Sequence, residues 1–277
     1  MRNTLLSAGS VAWLSSVAEG SPLPFSPIAQ TQGYALGIAD YTFRHFDIPQ
    51  SIAIMQDLEI KQLTIKDFHM PLNSSPEKIR EVMAQYAAGG IHVYGVGVIY
   101  MKTRTDVDQA FNYAKNAGVS LIVGVPEYAL LDYTEQKVKQ YGIRLAIHNH
   151  GPQDKLYPGP AEVYEKIRNR DLRMGLCLDV GHAIRAGQDP AQAVLSYSRR
   201  LFDMHIKDVT KAEDTGEAIE IGRGVVDFQA LVRALRKVGY SGHCSIEFEK
   251  NIPDKSREFP GIAECIGYFK GVSETIV

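Results

Sequence analysis

Leu145-Ala146-Ile147-His148-Asn149-His150 and Gly175-Leu176-Cys177-Leu178-Asp179-Val180-Gly181-His182 share one construction, a short apolar run that stops at ionisable residues. Phe202-Asp203-Met204-His205-Ile206-Lys207-Asp208 and Cys244-Ser245-Ile246-Glu247-Phe248-Glu249 repeat it further along the chain. A strand with a purely structural task has little use for histidine and carboxylate at its end. When parallel strands close into a barrel, however, their C-terminal ends converge on one face, and barrel enzymes place their active sites there. The four endings therefore predict a closed sheet and also name the face that carries the chemistry.

Working outward, strand-like runs at 34–41, 62–67, 91–99, 120–125, 144–148, 174–179, 201–206 and 243–248 alternate with segments of helical period. Such alternation is the pattern of consecutive βα units on a parallel sheet. Eight strands is the number that closes a (β/α)8 barrel. Leu121-Ile122-Val123-Gly124-Val125 is apolar throughout, as a strand covered on both faces should be. Helices are expected at 76–86 behind the capping pair Ser74-Ser75, at 128–141 stopped by Gly142, and at 227–238 stopped by Gly239. Alternation alone also fits an open, doubly wound sheet, and it is the polar strand ends that favour closure. Residues 207–226, with Gly216 and Gly222-Arg223-Gly224, read as a long βα loop over the site.

A chain of 277 residues is long enough for one such barrel. A net charge of −2 offers no global basic field, which argues against a nucleic-acid partner. Cys177, Cys244 and Cys265 show no C-x-x-C spacing, so they read as buried small hydrophobes rather than a zinc knuckle or a disulfide framework. Arg2, the apolar small-residue stretch 5–18 and the Pro/Ser-rich stretch 21–32 read as an export signal, with a cleavage site near Ser16-Val17-Ala18. The stretch is too short to span a membrane. The expected organisation is thus an export-signal-like segment at 1–32 and one barrel at 33–277. Its expected compartment is the periplasm, or the cytoplasm if the segment is not a signal.

His148, Asp179, His205 and Glu247 make a mixed N/O ligand set, suited to one divalent Mn2+, Co2+, Fe2+ or Zn2+. Singly, each has a plain structural explanation. Together, one to each late strand, they point to a metal site. Glu247 and His148 are also the candidate acid–base residues. His150 lies two positions from His148, on the same face, and is a candidate substrate contact. Lys66, His69 and Glu127 follow early strand ends and are weaker candidates for binding hydroxyls. Arg185 and Lys207 are candidates for holding an oxyanion or phosphate. Gly222-Arg223-Gly224 lacks the Lys-Ser/Thr of a P-loop and reads as a loop-shaping motif.

The segments Ile147-His148-Asn149-His150-Gly151, Leu178-Asp179-Val180-Gly181-His182, Met204-His205-Ile206-Lys207-Asp208, the run from Gly222 to Phe228 and Ser245-Ile246-Glu247-Phe248-Glu249 resemble the successive signatures of the xylose-isomerase-like barrel superfamily. The resemblance runs from Tyr34 to the C-terminus and is closest to the sugar phosphate isomerases/epimerases. It implies a metal held by Glu, Asp, His and Glu, with the two glutamates shuttling a substrate proton as in the ketose epimerases. Asp179, His205 and Glu247 match that set, and His182 matches a substrate-contacting histidine. His148 stands where the first glutamate is expected, which removes one carboxylate from the shuttle but leaves a metal donor in place. The implied function is a divalent-metal-dependent isomerase or epimerase that abstracts an α-proton from a sugar or keto-sugar. A lyase or hydratase of keto-sugars or keto-glycosides is the alternative. An endonuclease IV-like nuclease and a non-catalytic sugar-binding barrel are further readings, the nuclease disfavoured by the charge. The expected partner is a small carbohydrate, with no nucleic acid and no membrane span; a homo-oligomer is compatible with the sequence.

Overall fold

Successive side chains of a strand point to opposite faces, so each apolar run here must serve two environments, the barrel interior and the surrounding helices. The computed structural model describes residues 33–253 and 257–276. Its strands are β1 (Ala35–Ala39), β2 (Gln62–Ile65), β3 (His92–Met101), β4 (Leu121–Pro126), β5 (Arg144–His148), β6 (Met174–Asp179), β7 (Leu201–Ile206), β8 (Asp208–Val209), β9 (Ala218–Ile219) and β10 (His243–Ile246). Eight of them close a parallel barrel in the order β1-β10-β7-β6-β5-β4-β3-β2. The helices α1 (Ile48–Asp57), α2 (Pro76–Ala88), α3 (Arg104–Ala117), α4 (Leu131–Tyr141), α5 (Pro160–Ile167), α6 (Val180–Arg185), α7 (Pro190–Tyr197), α8 (Phe228–Lys237) and α9 (Glu258–Thr275) complete a (β/α)8 barrel.

The helices start and stop where the sequence signals lie. Ser75 caps α2 by accepting from Lys78 N–H at 3.3 Å, and Asp227 caps α8 by accepting from Ala230 N–H at 2.8 Å. Gly142 ends α4 in the left-handed region at φ 68°. On α8, Phe228, Leu231, Val232 and Leu235 recur at helical spacing and are all buried. Each such side chain contributes roughly 1.5–3 kcal/mol by leaving water. Inside the barrel, Tyr94, Leu121, Val123, Ala146 and Cys177 form a separate apolar cluster below the strand ends. Asp203, also in the interior, accepts from the Tyr94 hydroxyl at 3.0 Å and is pushed up to about 7 by burial.

Three strands end sooner than their apolar runs suggest, because side chains at the mouth take over the ladder. The chain turns at Asp40–Phe43, where Asp40 Oδ2 accepts from Lys66 N–H at 2.9 Å and so ends β2 as well. Thr42 Oγ1 donates to Ile246 O and accepts from Phe248 N–H, each at 3.0 Å, which draws the chain out of β10. The expected helix at 128–141 begins with a 3-10 turn at Tyr128–Leu130. The long segment 207–226 is not irregular throughout, since β8 and β9 pair antiparallel within it. The export segment expected at 1–32 lies outside the described residues. No described helix is long and apolar enough to cross a membrane.

His243, at the start of β10, stacks on Tyr94 with ring centroids 3.5 Å apart. Burial, then the neighbouring His92 and Arg144 charges, push it down to about 4 from an ordinary 6.5. The folded state thus resists a proton that the unfolded chain accepts. Its contribution is present above about 6.5 and is lost as pH falls towards about 4, on the order of 3 kcal/mol in all. His243→Phe keeps a ring on Tyr94 and should flatten this acid sensitivity. Melting curves of both proteins at pH 7 and 4.5 check it, and an unchanged difference between the two proteins would refute it.

Candidate metal centre

The alternation that buries Ala146 and Cys177 also brings His148 and Asp179, two residues further along each strand, to the mouth of the barrel. His205 and Glu247 arrive the same way, two beyond Asp203 and Ser245. Two further contacts fix the orientation of this set. Asn149 donates to Asp179 O and accepts from Asp179 N–H, both at 3.0 Å, which locks the end of β5 to the end of β6. Asp179 Oδ1 accepts from His182 N–H at 2.8 Å and caps α6, leaving Oδ2 to the centre.

Donor atoms of His148, Asp179, His205 and Glu247 all lie within 4.8 Å of one another, and all four residues are buried. His148 Nε2 is 3.0 Å from His205 Nδ1 and 3.6 Å from Asp179 Oδ2, and His205 Nδ1 is 3.2 Å from Glu247 Oε2. Spacings of about 3–3.5 Å are what ligands roughly 2.0–2.2 Å from one shared ion require. Asp179 Oδ2 is buried and faces the centre, where the Lys207 ammonium, 3.0 Å away, is its charge partner without a well-aligned hydrogen bond. The donor set therefore fits one divalent ion. Cys177 Sγ offers a further soft donor beside His148 and His205.

The electrostatics suit ligation at three of the four donors. At His205 burial is outweighed by Cys177 and Glu247, which hold the ring well above the ordinary imidazole range, so it must give up a proton to bind an ion. His148 is held well below the ordinary imidazole range by burial and by His150, so it is a neutral ring with one nitrogen lone pair to offer. Glu247 and Asp179 are held well below the carboxylate range. Burial opposes this, but His205 and Lys207 beside Glu247, and Lys207 with the His148 ring beside Asp179, outweigh it. His182 is pushed down to about 3, mainly by burial, and is also neutral.

Of the other expected residues, His150 and His182 join the centre. His150 Nδ1 is 3.2 Å from His148 Nδ1 and its Nε2 is 2.9 Å from the Tyr100 hydroxyl. His182 Nε2 is 3.9 Å from Asp179 Oδ2. Lys207 is not a surface cation waiting for phosphate: it is buried, with Nζ at 3.0 Å from Asp179, 2.9 Å from Glu247 and 2.6 Å from Glu249. Arg185 donates to Gln153 Oε1 at 2.8 Å and to Asp214 O at 2.7 Å, so it anchors the 207–226 segment. Lys66 Nζ donates to Val98 O at 3.0 Å. Glu127 is half-buried just before the 3-10 turn at Tyr128–Leu130. His69 lies outside the centre, because Asp40 and Tyr86 meet its Nδ1 and Phe46 O meets its Nε2, a buried network that fixes the turn after β1.

Sequence reasoning passed over four residues. Asn149 and Glu249 stood inside quoted motifs without a role. Tyr100, 47% exposed, stands beside His150 at the mouth. Asp208 accepts from the backbone N–H of Val209, Gly222, Gly224 and Val226 at 2.9–3.1 Å, and so shapes the Gly222-Arg223-Gly224 loop. A Cβ on Gly224 would lie 2.3 Å from that carboxylate, which is why glycine is required there.

Fold and site together define a (β/α)8 barrel with its ionisable residues gathered at the C-terminal mouth. The chain belongs to the xylose isomerase-like TIM barrel family, whose model matches residues 62–264. It is 27% identical over 131 residues to the rhizopine catabolism protein MocC of Rhizobium meliloti, covering 42% of this chain and 40% of that protein. It is 24% identical over 148 residues to an inosose dehydratase of Lacticaseibacillus casei, covering 47% of this chain and 48% of that enzyme. These matches span less than half the length of the curated relatives. A solved protein from Parabacteroides distasonis ATCC 8503 superposes with a TM-score of 0.65 at 26% identity, over 86% of this chain and 98% of that one.

Proposed function

We propose that the protein is a divalent-metal-dependent isomerase or epimerase that moves a proton at the carbon beside the carbonyl of a sugar or keto-sugar. The observation that carries this reading is the convergence of His148, Asp179, His205 and Glu247, within 4.8 Å, from four strand ends. A divalent ion held by these four supplies Lewis acidity to carbonyl and hydroxyl oxygens, which acidifies the neighbouring C–H. Glu247, ionised and with Oε2 turned to His205, keeps Oε1 for the proton. His182 and His150, both favoured as neutral rings, accept from or donate to substrate hydroxyls at the rim. Arg185 and Lys207 are committed to protein partners, which favours an unphosphorylated sugar, as would an exported, periplasmic chain.

One observation favours elimination as a second reading. His148 replaces a carboxylate, and its two ring nitrogens are met by His150 and His205, so one carboxylate, Glu247, is left to carry the proton. Elimination needs a single base and an acid for the leaving group, whereas epimerisation needs proton carriers on both faces. The similarity to an inosose dehydratase points the same way. NMR of metal-loaded protein in D2O with ketoses, aldoses and 3-keto-glycosides separates the two. Deuterium at a retained carbon supports the first reading, and an unsaturated product supports the second. No exchange and no product with any of them would sink both.

A further inference from the structure

Lys207 sits beside the candidate centre, just past the end of β7, where the sequence led us to expect a loop cation. Its side chain is 2% exposed. The fold has made room for it: a Cβ on Gly181 would lie only 3.0–3.2 Å from Lys207 Cγ, Cδ and Cβ, so glycine there opens the slot along which the lysine stem runs. Its ammonium meets three carboxylates, Asp179 Oδ2 at 3.0 Å, Glu247 Oε2 at 2.9 Å and Glu249 Oε2 at 2.6 Å, with His182 Nε2 at 3.3 Å. The first two of these oxygens are also the ones nearest the histidine nitrogens of the donor set. Glu249, by contrast, stands outside that set and touches the lysine alone among those residues.

Charge explains why such an arrangement folds. With the histidines neutral, as ligation requires, the buried carboxylates of Asp179 and Glu247 and that of Glu249, 26% exposed, would repel one another strongly. One ammonium reduces the cluster to two negative charges, the number that a single divalent ion cancels. We propose that Lys207 is a resident cation that holds Asp179 and Glu247 together before a metal arrives and then competes with that metal for their oxygens, while Glu249 draws the ammonium aside. The inference rests on the metal reading above and adds a device that sets how tightly the ion is held.

Two variants have opposite expected signs. The full-length protein is stripped with chelator and titrated with Mn2+, its affinity read by calorimetry and its melting temperature recorded with and without the ion. Lys207→Met keeps the length of the stem without its charge. It should melt lower than the parent when metal-free, yet bind Mn2+ at least roughly tenfold tighter, because a like charge beside the ion has gone. Glu249→Gln leaves the ammonium leaning wholly on Asp179 and Glu247, and should bind Mn2+ more weakly than the parent. Unchanged or weaker binding by Lys207→Met overturns the proposal. Should that variant fail to fold, Glu249→Gln decides alone, and equal or tighter binding by it is the overturning result. A parent protein that takes up no Mn2+ refutes the metal reading instead. In that case the metal-free melting of Lys207→Met still shows whether the lysine is the counter-ion of the cluster.

Discussion

Asp179→Ala is expected to abolish tight binding of a divalent ion and turnover together. Asp179 does three things at once: Oδ1 caps α6 through His182 N–H, Oδ2 faces His148 Nε2 at 3.6 Å, and the same oxygen pairs with Lys207 at 3.0 Å. Truncation leaves a buried ammonium short of a partner, a change that typically costs about 3–5 kcal/mol. Lower stability alone would therefore not prove a ligand role. Asp179→Asn separates the two effects, since its side-chain oxygen still caps α6 while the charge at the centre is gone. The asparagine variant should fold, gain little thermal stability from Mn2+ or Zn2+, and fall in turnover by more than about a hundredfold, beyond what the loss of an outer-shell partner produces. A folded Asp179→Asn protein that is stabilised by metal as strongly as the parent and keeps its activity would remove Asp179 from the ligand set.

How much of this was legible in the sequence differs from residue to residue. The barrel was, because four apolar runs ending in His148, Asp179, His205 and Glu247 make sense only if the ends meet, and they do meet. Period two carried that inference and would have carried it further. Lys207 and Glu249 lie two residues beyond His205 and Glu247, so the rule that places the donors also places this ion pair beside them, even past the formal ends of β7 and β10. A lysine and a glutamate in an apparent loop suggest solvent instead, and it takes the folded chain, with the Gly181 slot around the stem, to enclose the lysine. His69 failed in the opposite direction. It follows a strand, as a site residue should, but Asp40 leaves its own strand for a turn and captures the ring. That turn depends on Thr42 bonding across to β10, a contact between residues 204 positions apart that no local pattern reveals.

The other large effect is expected at Glu247. Glu247→Gln preserves size and a carbonyl oxygen, so ligation is weakened but kept, by the argument that the oxygen near His205 Nδ1 still has a lone pair to offer. What is lost is the ability to take a proton. The carboxylate is buried yet held ionised by His205 and Lys207, so in the parent it carries no proton of its own across the neutral pH range. General-base catalysis contributes typically about 10²–10⁴-fold, and turnover of the glutamine variant should fall by that order. Exchange of the substrate α-hydrogen with D2O should fall in the same proportion, because both require the same abstraction. A loss confined to turnover, with exchange intact, would show that Glu247 acts after the proton has left and that another group, His150 or His182 among those at the rim, removes it. Retention of both, in a protein shown to hold its metal, would mean that the carboxylate at this strand end is a ligand and not a base.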